Sequence, residues 1–475
     1  YANGAKKMDN VIGVVHGGAM RRPGTRFMGP CKFAGQRTRL VPFIFNRTQA
    51  YVLEFGDKYL RVWRSGGQIQ KNGAPYEVVT PYTADMLPAL EYVQGADTMF
   101  LAHQKIPTHR LVRHDHDNWV LEPVPFSVMP FDEVRETPEL WCKPSEKEFI
   151  GTDITLTLTD AAPPETGNPP PLTGAGWVAQ DVGSYIRINR GLVVITSVTD
   201  SQTARGTIRT ELDSIVAASP GAWTREDTVW NSTLGDPGAA TLHGQRLYLG
   251  GSSSYPQTVW GSGIGRYLDF ELGTDDDDAM SFTISSDQIN PIVHLAQIKA
   301  LMALTYGGEF TLLGGVEKPI TPTNIQIKSS DVRGCNSVRP VRVGSELLFV
   351  QRSNRRVFSV TYDPDSYTAY AATDISVLSE HITAGGLTDA AYQQDPDSLV
   401  WFVRGDGLLL SLTLDRAQDV ICWTRHTTDG LFESVASIPG KNGDEVYAVV
   451  AREVNGATVR YVERLENGLN TDAAT

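Results

Sequence analysis

The stretch SLVWFVRGDGLLLSLTLDRAQDVICWTRH, residues 398–426, falls into three short apolar-rich runs. Asp406-Gly407 supplies a hairpin turn between the first two and Trp423 lies in the third, so the segment reads as three consecutive antiparallel strands. Its period is two, not 3.6. Working outward, TMFLAHQ, HRLVRHD and NWVLEPV at 98–124 repeat the pattern, again with a Trp in the last strand. Further versions lie at 242–270, 299–314, 346–363 and 445–463, and RLVPFIFNRTQAYVLEFGDKYLRVWRSGGQIQ at 39–70 reads as a three-strand meander turning at Asn46 and Gly56-Asp57. Small antiparallel sheets that cannot bury both faces alone gain stability by packing round an axis, and diverged units of roughly 40–50 residues therefore point to a β-propeller. The units are not cleanly periodic, which leaves blade number open. A pair of β-sandwiches would give similar alternation.

The chain is 475 residues long, with 44 Gly and 27 Pro among β-rich runs, 41% hydrophobic and 20% charged residues. That composition fits a folded chain with many tight turns and excludes a wholly disordered one. No stretch approaches the ~20 apolar residues of a membrane-spanning helix. Tyr1 is not an initiator Met, so more chain is expected ahead of it, and any targeting signal there would be invisible. Cys31, Cys142, Cys335 and Cys422 lie at least 87 positions apart with no CxxC pair, which argues against structural zinc and favours buried free thiols.

Net charge is −13, but residues 1–64 hold 12 Lys/Arg against three Asp/Glu, a balance of +9 against −22 for the rest. A basic opening segment on an acidic body suggests docking on an acidic surface, such as a neighbouring copy; solvated strand-edge cations are the plainer reading. The chain divides into a basic docking segment (1–30), a first propeller part (31–142), an inserted β domain (143–227) bounded by the Pro-rich AAPPETGNPPP, a second propeller part (228–465) and a tail (466–475). Helix is scarce. DISVLSEHITAG at 374–385 has a cap, helical apolar spacing and a Gly end; 82–92, interrupted by Pro88, is weaker.

Six phrases in order, RRPGTRFMG (21–29), AYVLEFGDKYLRVWRSGGQI (50–69), PYTADMLPALEYVQGADTMFLAH (81–103), GDPGAATLHGQRLYLGG (235–251), TVWGSGIGRYLDF (258–270) and YQQDPDSLVWFVRGDGLLLSLTLDRAQDVICWTRH (392–426), resemble the tail nozzle proteins of short-tailed phages, also called tail tubular protein B. The resemblance implies a virion protein with a propeller, six copies in a ring below the portal and adaptor, contact with tail fibre or needle proteins, and a bore that passes double-stranded DNA during ejection. It implies no cofactor and no catalysis.

Three constellations are candidates for function. Arg21, Arg22, Pro23, Gly24 and Thr25 form a rigid basic turn, suited to clamping phosphate or, as the resemblance suggests, to docking against a second subunit or the adaptor. Asp275, Asp276, Asp277 and Asp278 form an acidic cluster without the alternate spacing of an EF-hand. A solvated loop, an acidic patch on the bore or rim, and a calcium site are its three readings. A bore lined with acid repels phosphates and lets a duplex slide, where many Lys/Arg would hold it through counterion release. His103, His109, His114 and His116, with Asp115 and Asp117, invite a metal or pH-sensitive contact, against ordinary turn chemistry at 114–118. No GxSxG, HExxH, P-loop or dinucleotide fingerprint occurs. The rival readings are a receptor- or carbohydrate-binding propeller, in which Trp63, Trp119, Trp260, Trp401 and Trp423 would stack on sugars, and a propeller glycosidase with paired carboxylates.

Overall fold

Blade six shows why these residues make a propeller sheet. Its strands Leu387–Gln393, Leu399–Arg404, Leu409–Asp415 and Val420–His426 pair antiparallel in chain order. Side chains alternate across a strand, so Leu399, Trp401 and Val403 join one core with Phe432, Val446 and Val450, while Val400 and Phe402 join another with Leu348, Val350 and Val357. Both faces are covered, which makes the strand continuously apolar. The expected turn is present: Gly407 has φ +87°, and its N–H donates to Arg404 O at 2.8 Å.

The computed structural model describes residues 7–135, 140–164, 169–286, 288–315, 318–363 and 370–474. Residues 1–6 of the basic segment, 165–168 of the Pro-rich loop and residue 475 of the tail lie outside them. Two compact units emerge.

The larger unit, 1–124, 236–261 and 282–475, holds seven sheets with the same antiparallel four-strand path, so its described residues form a seven-bladed β-propeller. Blade one is Arg39–Asn46, Gln49–Gly56, Tyr59–Arg64 and Glu77–Val79. Blade two is Glu91–Gly95, Thr98–His103, Ile106–Asp115 and Asn118–Pro123. Blades three, four and five start at Ala239–His243, Ile292–Gln297 and Val341–Val343. Blade seven combines Leu431–Gly440, Gly443–Val454 and Ala457–Glu466 with an outer strand from the other end of the chain, Gly24–Pro30. Apolar cores join blade seven to both blade six and blade one, which closes the ring. Burying each such Val, Leu or Phe is worth about 1.5–3 kcal/mol.

The second unit, 125–235 and 262–281, contains one seven-stranded antiparallel sheet, with Phe131–Arg135 and Trp141–Pro144 at its two edges. The shift in composition suggests limits of 143 and 227, but the compact unit is wider. Strands before residue 143 pair into its sheet, and 262–281 folds with it. Its core is Leu156, Trp177, Ile186, Val193, Ile195 and Trp223 with their neighbours.

The expected helix at 374–385 is reduced to a 3-10 turn, Val377–Ser379, and a single α-turn, Glu380–Thr383. Asp374 Oδ1 accepts from the N–H and hydroxyl of Ser376 and turns the backbone, and only Ile375 and Ile382 of the apolar set are buried. Over 82–92 only Leu87–Ala89 is helical, because the chain must straighten into blade two at Glu91. Cys31, Cys142, Cys335 and Cys422 are free thiols. No helix among the described residues is long and apolar enough to cross a membrane.

Candidate functional site: the axial cavities of the propeller

The first strands of neighbouring blades run side by side, as in blades two, three and four and in blades five, six, seven and one. Their polar residues consequently face the middle of the larger unit. Two cavities lie there. One, of about 350 Å3, is lined by residues of blades two and four, including Glu91, His103, Lys105 and His294. The other, of about 240 Å3, is lined from blades one, two, five, six and seven by Arg39, Tyr92, Arg339, Arg342, Asp389 and Ser437 among others.

An ion cluster stands between them. Glu91 Oε2 accepts from Arg339 Nη1 at 2.9 Å, and Oε1 lies 3.0 Å from His294 Nδ1. Glu91 is buried; burial alone would push its pKa up, but His294 and Arg339 hold the carboxyl below the usual range. His294 Nε2 makes a 2.8 Å hydrogen bond with Asn336 O, which orients the ring. The Arg339 guanidinium lies 3.9 Å over the Tyr92 ring. Arg39 Nη1 donates to the Leu87 and Leu90 carbonyls, both at 2.7 Å. Asp389 is capped by Ser434 Oγ at 2.6 Å and by the Val435 and Ala390 N–H groups, and burial raises its pKa.

None of this axial set except His103 is among the sequence candidates. A signal exists in retrospect: most of these residues are single charges in the first strand of a unit, otherwise apolar, as in LEYVQG, VHLAQ and TDAAYQ. Without knowing which strand of each unit is innermost, such charges look like ordinary solvated positions.

The basic turn lies at the seam. Arg22 is buried, and its guanidinium donates to Asp472 in a fork, at 2.8 and 3.1 Å, and to Thr427 O. Arg21 reaches Asn470 O. Gly24 sits where an added Cβ would meet Thr471 O at 2.1 Å, and Pro23 O accepts from Arg22. Thr25 Oγ1 donates to Glu463, which also takes two bonds from Arg452, at 2.6 and 2.7 Å. These residues thus fasten the two ends of the chain to each other, and Arg21 remains exposed.

In the second unit, Asp275, Asp276 and Asp277 are exposed and Asp278 is half-buried. The Asp278 carboxylate accepts the Asp275 N–H at 3.0 Å and lies 3.4 Å from Arg266, whose guanidinium is also 3.9 Å from Asp277. The histidines part company. His103 lines the larger cavity, its pKa lowered by burial. His109 Nδ1 donates to Pro107 O, His116 packs against Tyr51 and Arg64 of blade one, and His114 is exposed. Among the described residues no three His, Cys, Asp or Glu side chains converge as a metal site. Trp63, Trp119, Trp260, Trp401 and Trp423 are all buried, so the sugar-stacking arrangement that the rival carbohydrate-binding reading requires of them is not formed.

No family model matches the sequence, and no curated protein matches it. Solved structures similar to the chain are β-propellers. The WD40 repeats of RRP9 share 8% identity over 94% of this chain and 99% of that one, with a TM-score of 0.41. The β-propeller domain of Myceliophteria thermophila Cps50 (Swd1) shares 11% over 93% and 100%, at 0.33. Kluyveromyces lactis Hsv2 shares 9% over 82% and 97%, at 0.33.

Proposed function

We propose that the chain is a structural virion protein, a tail nozzle subunit that forms a hexameric ring extending the tail channel of a short-tailed phage. The observation that carries this reading is the ordered resemblance of six phrases over some 400 residues. Where those phrases fall in the fold supports it. RRPGTRFMG contains the seam strand of blade seven, and the others build parts of blades one, two, three and six. They mark the frame of a scaffold and not one pocket. On this reading the ring docks on the adaptor above, holds fibre or needle proteins below, and passes double-stranded DNA through an acidic channel whose bore or rim the 275–278 turn supplies. Electron micrographs of the purified protein test it: six-fold rings with an open centre are expected, and compact single particles at all concentrations overturn it.

A second reading, a receptor- or carbohydrate-binding propeller of a phage tail, is favoured by one observation, the polar axial cavities. Glycan-array binding by single particles would support it over the nozzle.

A further inference from the structure

The smaller axial cavity carries an unbalanced charge. Arg39, Arg339 and Arg342 line it against one carboxylate, Asp389. Asp389 is already engaged by a hydroxyl and two backbone N–H groups, and Glu91, shared with His294, is bonded to Arg339 alone among the three arginines, so the two carboxylates do not balance the three cations and His294. Each arginine is tethered by a single nitrogen: Arg39 Nη1 to two carbonyls, Arg339 Nη1 to Glu91, Arg342 Nε to Gly344 O at 3.1 Å. The other guanidinium N–H groups have no partner among the described residues. In a chain of net charge −13, cations from two different blades meeting on one axis with unused donors form a preorganised fork for oxyanions. Tyr92 adds a phenol and an aromatic face beneath Arg339.

We propose that this cavity is a binding site for a small oxyanion ligand, a carboxylate or phosphate carried on a short polar body. At about 240 Å3 the cavity falls below the ~300–1,000 Å3 of pockets that take drug-sized molecules, so the ligand is of monosaccharide size. Arg39 and Arg342 bind the anion. Arg339, held flat by Tyr92 and Glu91, positions it, and Ser437 supplies a hydroxyl to the body.

Titration calorimetry on the full chain tests the site, with inorganic phosphate, glucuronate and uncharged glucose as probes at constant ionic strength. Saturable binding of phosphate or glucuronate, but not glucose, is expected; which of the two binds identifies the anion. Arg342→Gln and Arg39→Gln should each weaken it about tenfold or more. Arg39 also braces the chain before blade two, so R39Q could unfold; Arg342 is exposed, and R342Q keeps the test decisive. No saturable binding by either anion, or equal affinity in R342Q, overturns the proposal. Ring formation is a separate readout, so the nozzle reading stands or falls independently.

Discussion

Blade six comes from one unbroken stretch of chain, whereas blade seven joins strands whose touching residues, Thr25 and Glu463, are 438 positions apart. The two sheets also differ in what fills their polar interiors. In blade six Ser411, Thr424 and His426 form a neutral hydroxyl–imidazole network, with Trp401 Nε1 donating to Gln393. In blade seven the interior holds an ion pair, Arg452–Glu463, with Glu463 fully buried. When the chain delivers strands in sequence, short turns set the register and neutral bonds suffice. Where the strand arrives from the far terminus no turn sets it; there Glu463, fixed by the Arg452 fork within its own hairpin, offers the incoming Thr25 hydroxyl a single acceptor position.

This contrast is breakable. Glu463→Ala leaves Arg452 buried without its partner, and a loss of about 3–5 kcal/mol is expected in urea unfolding. Ser411→Ala in blade six should cost only about 1 kcal/mol. If the two variants unfold alike, charge does not hold the seam. Gly407→Ala sharpens the other side, because the turn needs φ +87° and an added Cβ would lie 2.6 Å from Leu431 Cβ. A loss of about 1–3 kcal/mol is expected, read from the same unfolding curves.

Acid should dissect the regions in order. Burial, with Arg22 nearby, lowers the His426 pKa to about 3, so the folded state keeps the imidazole neutral. That contribution is complete above the ordinary histidine value of 6.5 and is lost as pH falls from there toward 3. His426→Gln should flatten the decline of Tm between pH 7 and pH 4. Hydrogen bonds from Arg26 and Arg464 hold Glu466 at about 2, so its contribution is present above its ordinary 4.5 and fades as pH falls through 2. Glu466→Gln, at a partly exposed pair, should give the smallest shift of all, confined to that lower window.

Much of the fold was legible because it is written in local alternation. Strands at 399–426 and at 98–123 lie where the apolar runs and turns put them. Blade seven was half legible: 445–463 reads as strands, but its outer member is RRPGTRFMG, and nothing in a basic Gly-Pro turn tells that it pairs with residue 461 and beyond. The same blindness applied to the axis. Glu91, His294 and Arg339 meet from three blades, and no sequence spacing encodes that meeting. Asn46 was legible too: the chain turns there as read, with Asn46 Oδ1 accepting from Thr48 N–H and Gln49 N–H.

The seam register has a mechanical corollary. Gly24 faces Glu466 and Pro30 faces Tyr461, so the incoming and outgoing ends of the polypeptide leave the blade at the same edge. A load applied between those ends would peel the two strands apart one rung at a time, like a zipper, instead of shearing all rungs together. The Arg22–Asp472 clamp lies beside the first rung to open, next to the backbone bonds that tie Ala474 to Thr25 and Phe27, and together these form the latch that such tension meets before the two strands part.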